Sequence, residues 1–310
     1  MRHGEARGSR AVWAGWSIAV VATAAAAGCG KGALGTGSAA AAVGRDVVAQ
    51  VGTVPRDAEV CAMRRSLGAP ATTGPKTLRE ACADAATTEE LWRRSMIVLG
   101  AYADWLEAGA AGADLTAAGP LAAARTGVSS PTWIEVDEPD EIDARTAVSR
   151  LVDLLADTDA KRDLDDAVQE AAPHVATLCE GLGHHFDEQI TAVVELQRDV
   201  DKRQAARSDH RCGMIDNRSF CVGESAQDRL TQGVVQGEVA ALLAGYVEAK
   251  NAVARFCAAN TKLAEAAANG HVKSRDTATA VVEAVRSAPR VTVQEALPAS
   301  SAAPPAGKGK

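Results

Sequence analysis

From Leu164 onward the chain places an apolar residue at steps that alternate between four and three: Leu164, Val168, Ala171, Val175, Leu178 and Leu182. A second series follows the same rule through Val235, Val239, Leu242, Tyr246, Ala249, Val253 and Phe256. A seven-residue repeat lays one stripe along a helix and packs helices side by side at a shallow angle. The first series continues less regularly through Phe186, Ile190, Val193 and Val200 to about Arg207. Pro173 lies inside it and is expected to kink or split the helix. The polar segment Ser208 to Gly223 separates the two series. Together they read as an antiparallel helical hairpin over residues 160–269.

The cysteines agree with that hairpin. Besides Cys29 there are six: Cys61, Cys82, Cys179, Cys212, Cys221 and Cys257. The midpoints of Cys179–Cys257 and Cys212–Cys221 coincide to within half a helical turn, as nested bridges across one hairpin require. Cys61 and Cys82 lie at equal distances outside the turn Gly68 to Pro75. Three disulfides are therefore expected: Cys61–Cys82, Cys179–Cys257 and Cys212–Cys221. On the loop-entropy argument, closing the long Cys179–Cys257 loop stabilises by roughly 4 kcal/mol.

Shorter helices fill out an all-α bundle. Arg56 to Leu67 is one, stopped by Gly68-Ala69-Pro70, and Lys76 to Ala85 is a second. Thr87-Thr88-Glu89-Glu90 has the form of a capping box for a helix carrying Leu91, Val98, Tyr102 and Trp105. Residues 109–140 read as irregular. Ala144, Val148, Leu151 and Leu155 mark a further helix, and Ser274 to Arg286 a last short one. The expected fold is a disulfide-stapled helical bundle over residues 51–286. Residues 287–310, rich in Pro, Ala, Ser and Gly, read as a disordered tail.

Composition excludes some functions. The net charge is −7, and removal of residues 1–28, with three Arg and one Glu, takes it to −9. Such a chain does not bind nucleic acid by neutralising phosphates. No Gly-x-Ser-x-Gly, His-Glu-x-x-His, phosphate loop or Cys-x-x-Cys is present, so no catalytic signature and no cofactor is indicated. The densest polar run is Glu180 to Glu188. Glu180, His184 and Glu188 are four apart on one helix face, and carboxylate with imidazole suits a transition metal. Asp137 to Asp143 holds five carboxylates, which suit a helix N-terminus better than a calcium loop.

The N-terminus supplies an address. Arg2, Arg7 and Arg10 precede an apolar run, Ala11 to Ala27, which ends in Ala26-Ala27-Gly28-Cys29. This order resembles a bacterial lipoprotein signal peptide with its lipobox, departing from the usual pattern at Ala26, where Leu is commoner. The resemblance covers residues 1–29. It implies cleavage after residue 28, a diacylglyceryl group on the Cys29 thiol, and attachment to membrane through that lipid. Gly30 after the cysteine implies the outer membrane. Residues 29–50, rich in Gly, Ala and Ser, read as a lipidated flexible tether. The expectation is an outer-membrane, cell-envelope lipoprotein facing the periplasm or the cell surface. It would act as a non-catalytic helical scaffold or adaptor for an envelope protein partner. The alternative is a metal- or small-ligand-binding bundle built on Glu180, His184 and Glu188.

Overall fold

The computed structural model describes residues 32–68, 77, 80–111, 138–156, 163–209, 212–215, 218–221 and 226–297. Among them the chain forms an all-α bundle of helices. In order these are α1 (Gly32–Val51), α2 (Asp57–Gly68), α3 (Ala83–Ala110), α4 (Pro139–Ala156), α5 (Leu164–Asp209), α6 (Ala226–Ala267), α7 (Arg275–Ser287) and the single turn α8 (Val293–Ala296). Two short strands, β1 (Cys212–Ile215) and β2 (Arg218–Cys221), form an antiparallel ribbon between α5 and α6.

The α5–α6 hairpin is the axis of the molecule. Val168, Ala171, Val175, Leu178, Leu182 and Phe186 are fully buried, facing Val239, Tyr246, Ala249, Val253 and Phe256. Three contacts share one register. The Gln169 side chain donates to the Ala267 carbonyl at 2.7 Å, Cys179 is bonded to Cys257 across a Cα separation of 5.8 Å, and Lys250 pairs with Asp187. Pro173 does not split the helix, which runs unbroken for 46 residues. Its ring sits on the exposed side, where the carbonyl left without a donor can be hydrated. The ribbon ladder sets Cys212 opposite Cys221. The expected bridge between their side chains lies outside the described residues.

Residues 32–50 are not a flexible tether. They form α1, a helix of 20 residues packed antiparallel on α3. Ala-rich sequence favours helix, and Thr36, Ala40, Val43 and Val47 are buried in a four-three-four pattern. The small residues let two backbones meet. A Cβ at Gly37 would lie 2.6 Å from the Ala110 Cβ, one at Gly44 would collide with Ala103, and one at Gly100 with Val48. Arg45 flanks the seam, 3.0 Å from Glu107 and 3.9 Å from Asp104.

Two further readings change. The start of α3 precedes Thr87, whose hydroxyl instead donates back to the Ala83 carbonyl at 3.2 Å. Thr88 reaches across to Glu141 at 2.7 Å and ties α3 to α4. The capping box is at Thr292 and Glu295, inside the supposed tail. There the Asn251 amide donates to the Val291 carbonyl and accepts from the Val291 N–H, both at 2.8 Å. That pair satisfies both backbone groups of Val291, so residues 288–297 lie against α6 instead of leaving the bundle. The helix expected over Lys76 to Ala85 is not one element: among its described residues, 77 and 80–85, a turn at Ala81 and Cys82 intervenes, and Ala83 to Ala85 already belong to α3. Cys82, just before α3, is bonded to Cys61 of α2 with a Cα separation of 6.0 Å.

The α1–α3 seam predicts opposite outcomes for chemically identical changes. Gly44→Ala destabilises by about 1–3 kcal/mol through overpacking. Gly237→Ala, where a Cβ meets nothing within 4 Å, stabilises by about 0.5–1 kcal/mol through helix propensity. Urea midpoints of the two variants measure both signs.

Candidate functional site

Each residue of the sequence-derived ligand set faces solvent. His184 and Glu188 pair along α5 at 3.2 Å with side chains 61% and 62% exposed, and Glu180 is also exposed. Among the described residues no group of three His, Cys, Asp or Glu is placed to hold a metal ion. The three residues share a face, as their spacing requires, but that face points away from the core. The metal-carrier reading thereby loses its geometric basis. The stripe explains why: Leu182 and Phe186 point inward, which puts position 184 outside and position 185 inside.

His185 is the histidine that is buried. It meets Asp57, the first residue of α2, with Nε2 at 3.2 Å from Oδ2, and the two side chains are 4% and 3% exposed. The approach is within ion-pair range but off line for a hydrogen bond, so Oδ2 has no hydrogen-bond donor. The other carboxylate oxygen is satisfied: the Tyr246 hydroxyl donates to Oδ1 at 2.6 Å. Three helices thus converge on one carboxylate. Trp92 of α3 stacks on the His185 ring at 5.4 Å and an interplanar angle of 24°. Phe186 packs obliquely on both His185 and Tyr246. Gly181 makes room for this arrangement, since a Cβ there would lie 2.5 Å from the Trp92 ring.

The surrounding charges follow from that geometry. Asp57 at the start of α2 places negative charge where the helix dipole favours it. Glu89 of α3 comes close, accepting from the Ala58 N–H. Burial, and then the charge of Asp57, hold the Glu89 carboxyl above the usual carboxylate range, against the pull of that N–H, Arg93 and Arg56. Burial and the Asp57 charge push the Tyr246 phenol far above its ordinary value, so it remains a hydrogen-bond donor. Tyr102, elsewhere in the core, is raised by burial alone.

Chemically, this cluster holds the Tyr246 phenol and the His185 imidazole against one carboxylate but opens to no solute: Asp57, His185 and Tyr246 are all buried. Its role is to orient α2, α5 and α6. Sequence reasoning missed it because Asp57 and Tyr246 are 189 positions apart. The available signal was the stripe phase at His185. A second feature is a small recess of about 10 Å³ between α1, α3, α5 and α6, with Thr36, Ala110, Leu164 and Leu263 in its wall. It is of single-water size.

No protein-family model matches the chain, and no curated protein or solved structure matches it.

Two predictions test the cluster. Asp57→Ala leaves His185 and Tyr246 buried without their partner and costs about 3–5 kcal/mol, while Tyr246→Phe costs about 1–3 kcal/mol. Equilibrium denaturation of both variants gives the values. Glu89 supplies a pH test. Its folded pKa is raised, so the stability it contributes is full in acid and is lost as pH rises through that pKa. Glu89→Gln is therefore more stable than the parent at pH 7, and the gap closes below about pH 4. Denaturation midpoints at the two pH values decide it.

Proposed function

We propose that the protein is a lipid-anchored outer-membrane lipoprotein whose helical bundle serves as a non-catalytic scaffold or adaptor for an envelope protein partner. The observation that carries this reading is Cys29, placed at the end of an apolar run behind Arg2, Arg7 and Arg10. Two disulfides support it, because such bonds persist in oxidising compartments outside the cytosol. Among the described residues no helix is long and apolar enough to cross a membrane, so the acyl group on Cys29 is the attachment in this reading. The buried polar cluster is consumed in holding helices together, and Glu180, His184 and Glu188 lie on the outer surface. That leaves rigid helical faces as the means of action.

The test has two arms. Wild-type protein is expected to fractionate with membranes and Cys29→Ser with the soluble envelope fraction; a membrane-bound Cys29→Ser protein overturns the lipid anchor. In-cell crosslinking followed by mass spectrometry is expected to recover one envelope protein in near-stoichiometric amount. Recovery of background alone overturns the adaptor role.

A further inference from the structure

The bundle begins very soon after the cysteine. α1 starts at Gly32, and Thr36 and Gly37 are already buried. The Thr36 hydroxyl donates to the Ser274 carbonyl at 3.5 Å, and Gly37 packs on Ala110. Three peptide links join Cys29 to Gly32, and a fully extended chain covers at most about 3.5 Å per residue, giving a reach of about 10 Å. Acyl chains on Cys29 therefore cannot leave the start of α1 far from the bilayer.

Several elements gather at this end. Thr36, Ala110, Leu164, Leu263 and Val272 line one recess, so the beginning of α1, the end of α3, the beginning of α5, the end of α6 and the loop before α7 lie together. The ribbon lies at the opposite end of α5. Forty-six residues of helix separate Leu164 from Asp209, and at 1.5 Å per residue they span about 70 Å.

We propose, on the reading that Cys29 is acylated, that the end of the bundle around Thr36, Leu164 and Ser274 is a lipid-facing surface held against the head groups, and that the hairpin carries the β1–β2 ribbon away from the membrane. The occupant follows from the length of the link. Asp163, Asp166, Lys273, Arg275 and Asp276 give the end mixed charge, and the exposed large apolar residues Val48, Ile142, Val234 and Leu297 belong to other parts. Among the described residues this end thus has neither a basic patch nor an apolar wedge with which to seek lipid. The acyl chains hold it there.

The experiment uses the full acylated chain in vesicles of phosphatidylethanolamine and phosphatidylglycerol containing a head-group nitroxide quencher. One dye is attached at Arg275→Cys, at the start of α7, and in a second protein at Val234→Cys. Val234 is 59% exposed and lies about 50 Å along α6 from Ala267 at the helical rise. Strong loss of emission at position 275 with none at 234 is the expected result. Quenching at both positions means that the bundle lies along the membrane. Quenching at neither means that α1 unravels into a linker. Either outcome overturns the proposal while leaving lipid attachment intact. A purified chain whose mass lacks the diacylglyceryl group overturns the anchor reading and this orientation with it.

Discussion

The register of α5 against α6 is the constraint on which the other elements depend. A one-residue slip on either helix turns its apolar stripe by about 100° and removes it from the seam. Gln169 on Ala267, Cys179 on Cys257 and Asp187 on Lys250 all agree on one register. The disulfide alone would allow the helices to twist about a single point. The stripe alone would allow a shift by a full repeat. Together they leave one solution, and the shorter helices pack on the surface it presents.

The buried polar cluster acts at a different level. Burying Asp57 and His185 together gains little net stability over an apolar pair of similar volume. What it supplies is direction. A helix of 12 residues such as α2 is marginal alone, and apolar contacts would let it slide along the hairpin. The Asp57 carboxylate accepts from Tyr246 and faces His185 in one position only, and the Cys61–Cys82 bridge fixes the next turn of α2 to the start of α3. The energetic gain comes from the apolar core, and the placement of α2 from a few polar atoms.

Large apolar residues made the hairpin, α4 and α7 legible in the sequence, because Leu, Val and Phe at alternating steps of three and four fall on one face only when the segment is helical. The same logic fails where the stripe is built of small residues. α1 repeats every seven residues through Thr36, Val43 and again Gly37, Gly44, yet this composition also describes a linker. Only the complementary notch at Gly100 and Ala103 on α3 tells the two apart, and that notch is a tertiary fact. Capping motifs were ambiguous for a related reason. Thr-x-x-Glu occurs at Thr87 and at Thr292, and packing upstream, not the motif, decides which one begins a helix. The site was readable in half: the phase of Leu182 and Phe186 separates the exposed His184 from the buried His185, but nothing local pairs His185 with Asp57.

If the protein is the scaffold proposed above, the order of α1 changes what it can do. A flexible segment of some 20 residues would let the domain wander over roughly 25 Å by random-coil statistics, sampling partners at many heights and angles. A helix packed into the core removes that freedom. Gly37 and Gly44 are not looseness: each sits where a methyl group would strike α3, so they allow the two backbones to meet closely. On the proposed reading of Cys29 as the anchor, the residues that look most like a hinge are therefore the ones that couple the anchored end to the long hairpin, and a displacement at one end of α5 is carried to the ribbon at the other along an unbroken helix.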